Sequence, residues 1–171
     1  MIDMEIFYFG ENKGHKAGCL NAVYSALKKI TLHYKMTDDD IIIFSHDDIY
    51  LSNKNKLESH LKFMYKFDFI GRRCIRNKHV PSNCDYYVMM ESFIIKPSFA
   101  RKLTENYSYN MFNDSDLLLD GLKSTSPEMN FGKDIINNTN NYYFISINEN
   151  AFGENDMGYF HIKNIRGQGE L

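Results

Sequence analysis

Residues 45–48, Ser45-His46-Asp47-Asp48, close the apolar run Ile41-Ile42-Ile43-Phe44 with an imidazole and two carboxylates. Such a set can hold a divalent cation, and a cation can in turn hold phosphate oxygens. The apolar run reads as a strand, and open α/β sheets bind ligands beyond the carboxyl ends of their strands. The alternative is a strand-exit turn, whose geometry Asp tolerates well. A second group lies in Gly10-Glu11-Asn12-Lys13-Gly14-His15-Lys16-Ala17-Gly18. Its glycines and Lys13, just ahead of a helix, suit the approach of an anionic ligand. It completes no phosphate-loop pattern, so a plain loop and helix start is the competing reading. A third group follows a late apolar run: His161, with Lys163 and Arg166 close behind.

Elements that could position these groups follow from periodicity. Residues 4–9, MEIFYF, form a short strand, and Ala17, Leu20, Tyr24, Leu27 and Ile30 recur at helical spacing through about Tyr34. Residues 37–40, TDDD, form a polar turn into the strand 41–45. A helix capped by Ser52 or Asn53 carries Leu57, Leu61 and Met64 on its buried stripe. FDFIGRRC is a third strand, 76–84 an exposed loop, and YYVMMESFIIKP a long strand bulged at Glu91-Ser92. A short helix starts at Pro97 or Ser98, DSDLLLDGLKS forms another with Asp114 and Asp116 as caps, and PEMNFGKDIINNT opens one more. YYFISI and GYFHIKNI close the chain as strands. Near-continuous apolar runs suit strands covered on both faces, which predicts 41–45 as a central strand with parallel neighbours. The expectation is an α/β sandwich with a mixed, mostly parallel central sheet flanked by helices. No repeat or linker breaks the pattern, so residues 1–171 read as one domain.

Composition narrows the function. With 43% hydrophobic and 25% charged residues, the 171-residue chain can bury a real core. Its net charge of −2, with cations scattered among acids, argues against a nucleic-acid footprint. Cys19, Cys74 and Cys84 are odd in number, widely separated and form no CxxC pair, which argues against a zinc knuckle or a disulfide framework. No apolar run is long enough to span a bilayer. The first ten residues carry Asp3 and Glu5 where a signal peptide would be basic, so a cytoplasmic location is expected.

The order of these motifs resembles the GT-A glycosyltransferases, most of all the family 2 type of nucleotide-sugar transferases. Asn12, Gly14, Gly18, Asn21 and Ala22 stand where that family has an Asn-x-Gly loop and a small-residue helix start. His46-Asp47-Asp48 stands at its Asp-x-Asp motif, with His46 in place of the first acid. The resemblance covers residues 4–70 by motif and the remainder by order of elements. It implies a GT-A-like fold and transfer of a sugar from a nucleotide-diphosphate donor to a glycan or other hydroxyl acceptor. It also implies Mn²⁺ or Mg²⁺ at Asp48 and His46, with His161 brought back to complete the metal site. Asn12, Lys13, Gly14, Gly18, Asn21 and Asp47 would then contact the donor, Asp47 through a ribose hydroxyl, and Lys163 and Arg166 would neutralise diphosphate. Leu20 replaces an arginine common in relatives, which removes one phosphate contact. The family has a nucleotide-gripping strand and a helix ahead of the strand at 4–9, and little precedes Met4 here. The expectation is therefore a shortened form, a fragment or a relative that has lost part of nucleotide recognition.

The physics agrees with that placement. A departing diphosphate needs neutralisation, which an oxygen-ligated divalent cation supplies. A histidine ligand suits Mn²⁺ better than Mg²⁺. Inverting transfer also needs a carboxylate base for the acceptor hydroxyl. Glu128 and Asp134 are the candidates, Glu128 foremost, because Ser126-Pro127 would set it in a first helical turn. The macrodipole favours acids there regardless of function. Asn21 could equally be a core polar group satisfied by backbone, and a lone late His161 could be structural. A non-catalytic GT-A-like module that binds a sugar or a partner enzyme is the second reading. A hydrolase built on His46-Asp47 ranks behind both, since its further ligands would be needed on helices.

Overall fold

A computed structural model describes residues 16–46, 49–51, 53–73, 88–117, 127–145 and 160–162. Within them the order is α1 (Lys16–His33), β1 (Ile42–Ser45), β2 (Ile49–Leu51), α2 (Lys54–Leu61), β3 (Phe69–Arg73) and β4 (Val88–Ile95). There follow α3 (Pro97–Thr104), a 3-10 turn at Asp114–Asp116, α4 (Pro127–Asn138), β5 (Tyr142–Ile145) and β6 (Phe160–Ile162). The fold is mixed α/β. The expected strand 4–9 and the loop 76–84 lie outside the described residues.

Four strands form one sheet in the order β1-β4-β3-β5, and β2 pairs with β6 in a separate ribbon. Here the expected mostly parallel sheet needs correction. β1–β4 and β3–β4 are antiparallel, and β3–β5 alone is parallel. Among the described residues β1 is an outer strand, with no parallel neighbour. The reason is β4, which returns from β3 against it and lies between β1 and β3. Consequently β1, β3 and β5 still point the same way, and their carboxyl ends share one edge of the sheet.

Both faces of the sheet are covered, and this is what the apolar runs record. Strand residues alternate faces. Ile42, Phe69, Phe93 and Ile95 enter a core with Leu20, Tyr24 and Leu27 of α1, Phe99 of α3 and Phe131 and Ile135 of α4. Ile70 and Ile94 point the other way, against Leu57 of α2 and Met64. Phe93 is the pivot of the first core. Its ring stacks on Phe44 with centroids 4.7 Å apart and also meets Phe69 at 5.3 Å and Phe131 at 5.2 Å. Gly71 is required beside it: a Cβ there would come within 2.5 Å of the Phe69 ring. The bulge expected near Glu91-Ser92 is present as a register shift, since Gly71 faces Phe93 whereas Arg73 faces Val88.

Local signals fixed most helix starts. Asn53 caps α2 by accepting from the Lys56 N–H at 3.0 Å, and Pro97 begins α3. α2 ends at Leu61, earlier than its apolar stripe suggested, and residues 62–66 continue as turns. The helix expected from DSDLLLDGLKS is, in its described part, only the single 3-10 turn. Two helix starts are capped from far away in sequence. The Asp114 carboxylate accepts the Ala17 N–H at 2.7 Å, and Asp38 accepts both the N–H and the hydroxyl of Ser98 at 2.9 and 2.6 Å. Partial burial pushes the Asp38 carboxyl up, but the Ser98 hydrogen bonds outweigh it and hold the group below its usual value.

Candidate functional site

Strand direction decides which candidates can meet. α1 ends shortly before β1 begins, and α4 is separated from β5 only by residues 139–141. A helix packed on a sheet and joined closely to a strand's start must itself start toward that strand's far end. The starts of α1 and α4 therefore lie toward the carboxyl edge of β1, β3 and β5, where His46 leaves β1. The opposite edge is a polar seam. There Asp68 accepts from Thr139 Oγ1 at 2.6 Å and pairs with Lys96 at 3.3 Å, while its N–H donates to Asn141 O at 2.6 Å.

At the carboxyl edge His46 is half-buried, its ring 5.7 Å from Phe44 in an edge-on arrangement. Asp47 and Asp48 lie outside the described residues, and β2 begins directly after them. β2 runs antiparallel to β6 with Ile49 opposite Ile162, Tyr50 opposite His161 and Leu51 opposite Phe160. The backbone of residue 161 therefore lies across the ribbon from a position two residues beyond Asp48. Among the described residues no group of three or more His, Cys, Asp or Glu side chains is arranged to hold a metal ion. Glu128 is half-buried in the first turn of α4, after Pro127, as its sequence context suggested. Gly18 is half-buried in the first turn of α1. Asn12, Lys13, Gly14, Lys163 and Arg166 lie outside the described residues.

Asn21 and Asp134 both face the helical layer. Asn21 is buried, and its side chain clamps a distant loop: Nδ2 donates to Phe112 O at 2.9 Å, and Oδ1 accepts from Phe112 N at 3.2 Å and Tyr107 Oη at 3.3 Å. Its amide is thus engaged by backbone and a tyrosine, the structural alternative recognised from sequence. Sequence reading missed Tyr107 and Phe112, which stack with centroids 5.9 Å apart against Tyr24. Their only signal was aromatic composition, which does not pair residues.

Asp134 accepts a hydrogen bond from the Tyr24 hydroxyl, six residues and more than one helical turn beyond Glu128. The pair borders an open groove of about 220 Å³, between α1, α4 and the segment after α3. Desolvation raises the Asp134 carboxyl above its usual value, against the opposing pull of the Tyr24 bond and Lys133. Burial, and then the Asp134 charge, raise the Tyr24 hydroxyl well above its own. A carboxyl with a raised folded value stabilises the fold most below the unfolded carboxylate range and loses that contribution as pH rises through the raised value. Asp134→Asn, which keeps an acceptor for Tyr24, is therefore expected to be more stable than the parent at neutral pH and to match it in acid. Tyr24→Phe is expected to cost about 1–2 kcal/mol at neutral pH by leaving the carboxylate without its donor. Urea unfolding of the three chains across pH checks both outcomes; a parent whose stability advantage over Asp134→Asn grows with pH would contradict the sign.

Comparison with protein-family models, with curated proteins and with solved structures finds no match for the chain. No helix among the described residues is long and apolar enough to cross a membrane.

Proposed function

We propose that this chain is a GT-A-like, metal-assisted glycosyltransferase of the cytoplasm, taking a sugar from a nucleotide-diphosphate donor to a glycan or other hydroxyl acceptor. The observation that carries the reading is the β2–β6 ribbon, whose register sets residue 161 opposite Tyr50, next to the exit of β1 through His46-Asp47-Asp48. The start of α4, with Glu128, lies toward the same edge of the sheet.

His46, Asp48 and His161 would hold the cation, and this nitrogen–oxygen donor set fits Mn²⁺ better than Mg²⁺. The bound cation would supply charge neutralisation for the diphosphate. Glu128 acts as the base in the inverting case. Its carboxylate takes the acceptor hydroxyl proton as that oxygen bonds to the anomeric carbon and the bond from that carbon to the diphosphate oxygen breaks. Lys163 and Arg166, following β6 in sequence, are the cations for the departing diphosphate.

One observation favours a second reading, a module that binds without transferring. Asn21, a candidate donor contact, is committed to Phe112 and Tyr107. Calorimetric titration with uridine and guanosine diphosphates, with and without Mn²⁺, tests the proposal. Mn²⁺-dependent binding together with hydrolysis or transfer of the matching nucleotide sugar supports the enzyme. Binding without turnover favours the module, and absence of any nucleotide binding removes the transferase reading.

A further inference from the structure

The groove between α1, α4 and the segment after α3 is bordered by groups that the proposed transfer does not use. Part of its lining is aromatic. The Phe112 ring lies 5.0 Å from Tyr24 and 5.9 Å from Tyr107, centroid to centroid. Both tyrosines are buried, Phe112 is half-buried, and Met111 beside it is 43% exposed. Asn21 clamps Phe112 by its backbone, and the Tyr107 hydroxyl donates to Asn21 O at 2.9 Å, so these rings are held in place by the protein itself. Polar groups are set among them. Asn138 Nδ2 donates to Asp134 O at 2.8 Å, one turn apart on α4, and Lys102 Nζ, from the end of α3, donates to Asn138 O at 2.5 Å. Asn106 follows just beyond α3 and is exposed. Asp134 Oδ2 takes the Tyr24 hydroxyl, whereas Asp134 Oδ1, Asn138 Oδ1 and the Asn106 amide have no partner among the described residues.

We propose that this groove binds one pyranose ring of a neutral carbohydrate. The face of an aromatic ring is electron-rich, and the C–H groups on a pyranose face pack against it. Around its rim the sugar carries hydroxyls, each both donor and acceptor. That dual character answers a lining in which Asp134 Oδ1 and Asn138 Oδ1 accept, Lys102 donates, and Asn106 does both. Size points the same way. At about 220 Å³ the groove falls below the roughly 300–1,000 Å³ of sites for drug-sized ligands, so it suits a single ring and leaves the rest of a glycan in solvent. Other occupants fit less well. A cation meets Lys102, an anion meets Asp134, and a flat apolar ring would take water from Asp134 Oδ1 and Asn138 Oδ1 without replacing it. The inference uses no residue of the proposed cation or diphosphate site, and it holds whether the chain transfers a sugar or only binds one.

Nuclear magnetic resonance titration of the isotope-labelled full chain tests it, with glucose, galactose, mannose and N-acetylglucosamine added singly and no nucleotide or Mn²⁺ present. At least one sugar is expected to shift the side-chain amides of Asn106 and Asn138 and the backbone amide of Phe112, saturating at about millimolar concentration. Asn106→Ala should weaken that binding about fivefold, and Asp134→Asn about tenfold, since a neutral acceptor replaces a charged one. Asn106 is exposed, so its truncation keeps the test open should Asp134→Asn fail to fold. Leu32→Ser, at a 73% exposed position of α1 that does not line the groove, should bind like the parent. The proposal is overturned if no sugar shifts these amides up to about 100 mM, if the shifts fall on residues elsewhere, or if both groove variants bind like the parent. Tighter saturation of the same amides by phenethylamine than by any of the sugars would mark an organic-cation site and also overturns it. With nucleotide and metal left out, a negative result here does not bear on the transferase, which the nucleotide titration judges separately.

Discussion

Phe93→Ala is expected to destabilise the chain by about 3–5 kcal/mol, a large part of the roughly 5–15 kcal/mol that holds a domain of ordinary stability. Phe93 has no exposed surface and lies on β4, the strand that separates β1 from β3. Its ring touches three others, Phe44 on β1, Phe69 on β3 and Phe131 on α4, so its removal opens a cavity where two strands and the helical layer meet. Little can collapse into that space. Gly71, opposite Phe93 across the pair, has no side chain to offer, and the Phe69 ring already occupies the room beside it. Met111→Ala provides the contrast. Met111 is exposed, and its truncation should change stability by no more than about 0.5 kcal/mol. Urea unfolding of both chains gives the answer, and equal midpoints would mean that the Phe93 cluster does not hold the layers together.

The same residue explains what the sequence could and could not disclose. An apolar run such as Ile41 to Phe44 records that a strand is covered on both faces. That much is correct, with one core against α1, α3 and α4 and another against α2. It does not record which way the neighbour runs, because the side-chain environment of a doubly covered strand is the same in either direction. Hence coverage was legible and the parallel pairing was not. Helices with local signals were legible too. Ala17, Leu20, Tyr24 and Leu27 are all buried in α1, Asn53 caps α2, and Pro97 and Pro127 open α3 and α4.

Contacts between distant segments were legible only as chemistry without an address. Asp114 was expected to cap a helix, and it does, but the helix is α1, 97 residues away, instead of one of its own. The polar turn at 37–40 was expected, whereas Asp38 reaching Ser98 across 60 residues was not. Asn21 had two readings, and its partners Tyr107 and Phe112 lie 86 and 91 residues on. Local pattern tells what a side chain needs, and only the fold tells what supplies it. The late strand carrying His161 is the favourable case. It was placed from its apolar run alone, and it pairs with the segment that follows the acids.

Asp48→Asn is expected to abolish Mn²⁺-dependent binding of a nucleotide diphosphate, together with any sugar transfer, a loss of at least about 100-fold in affinity or rate. The substitution keeps size and most hydrogen-bonding capacity but removes the negative charge that a hard divalent cation requires. It also leaves the two histidines of the proposed donor set, and neutral imidazoles alone compensate none of the cation's charge. His161→Ala should act in the same direction but less, since it removes a neutral ligand from the facing strand while Asp48 and His46 remain. Both are expected to behave as surface substitutions, so the free energy of unfolding should change by no more than about 0.5 kcal/mol. Titration of the parent and both variants with uridine and guanosine diphosphates, with and without Mn²⁺, separates the outcomes. The order parent, then His161→Ala, then Asp48→Asn, with all differences vanishing when Mn²⁺ is omitted, is the expected result. Equal and metal-independent affinity in the three chains would detach His46-Asp47-Asp48 from any catalytic role. Loss in Asp48→Asn with none in His161→Ala would keep the cation but remove β6 from its site.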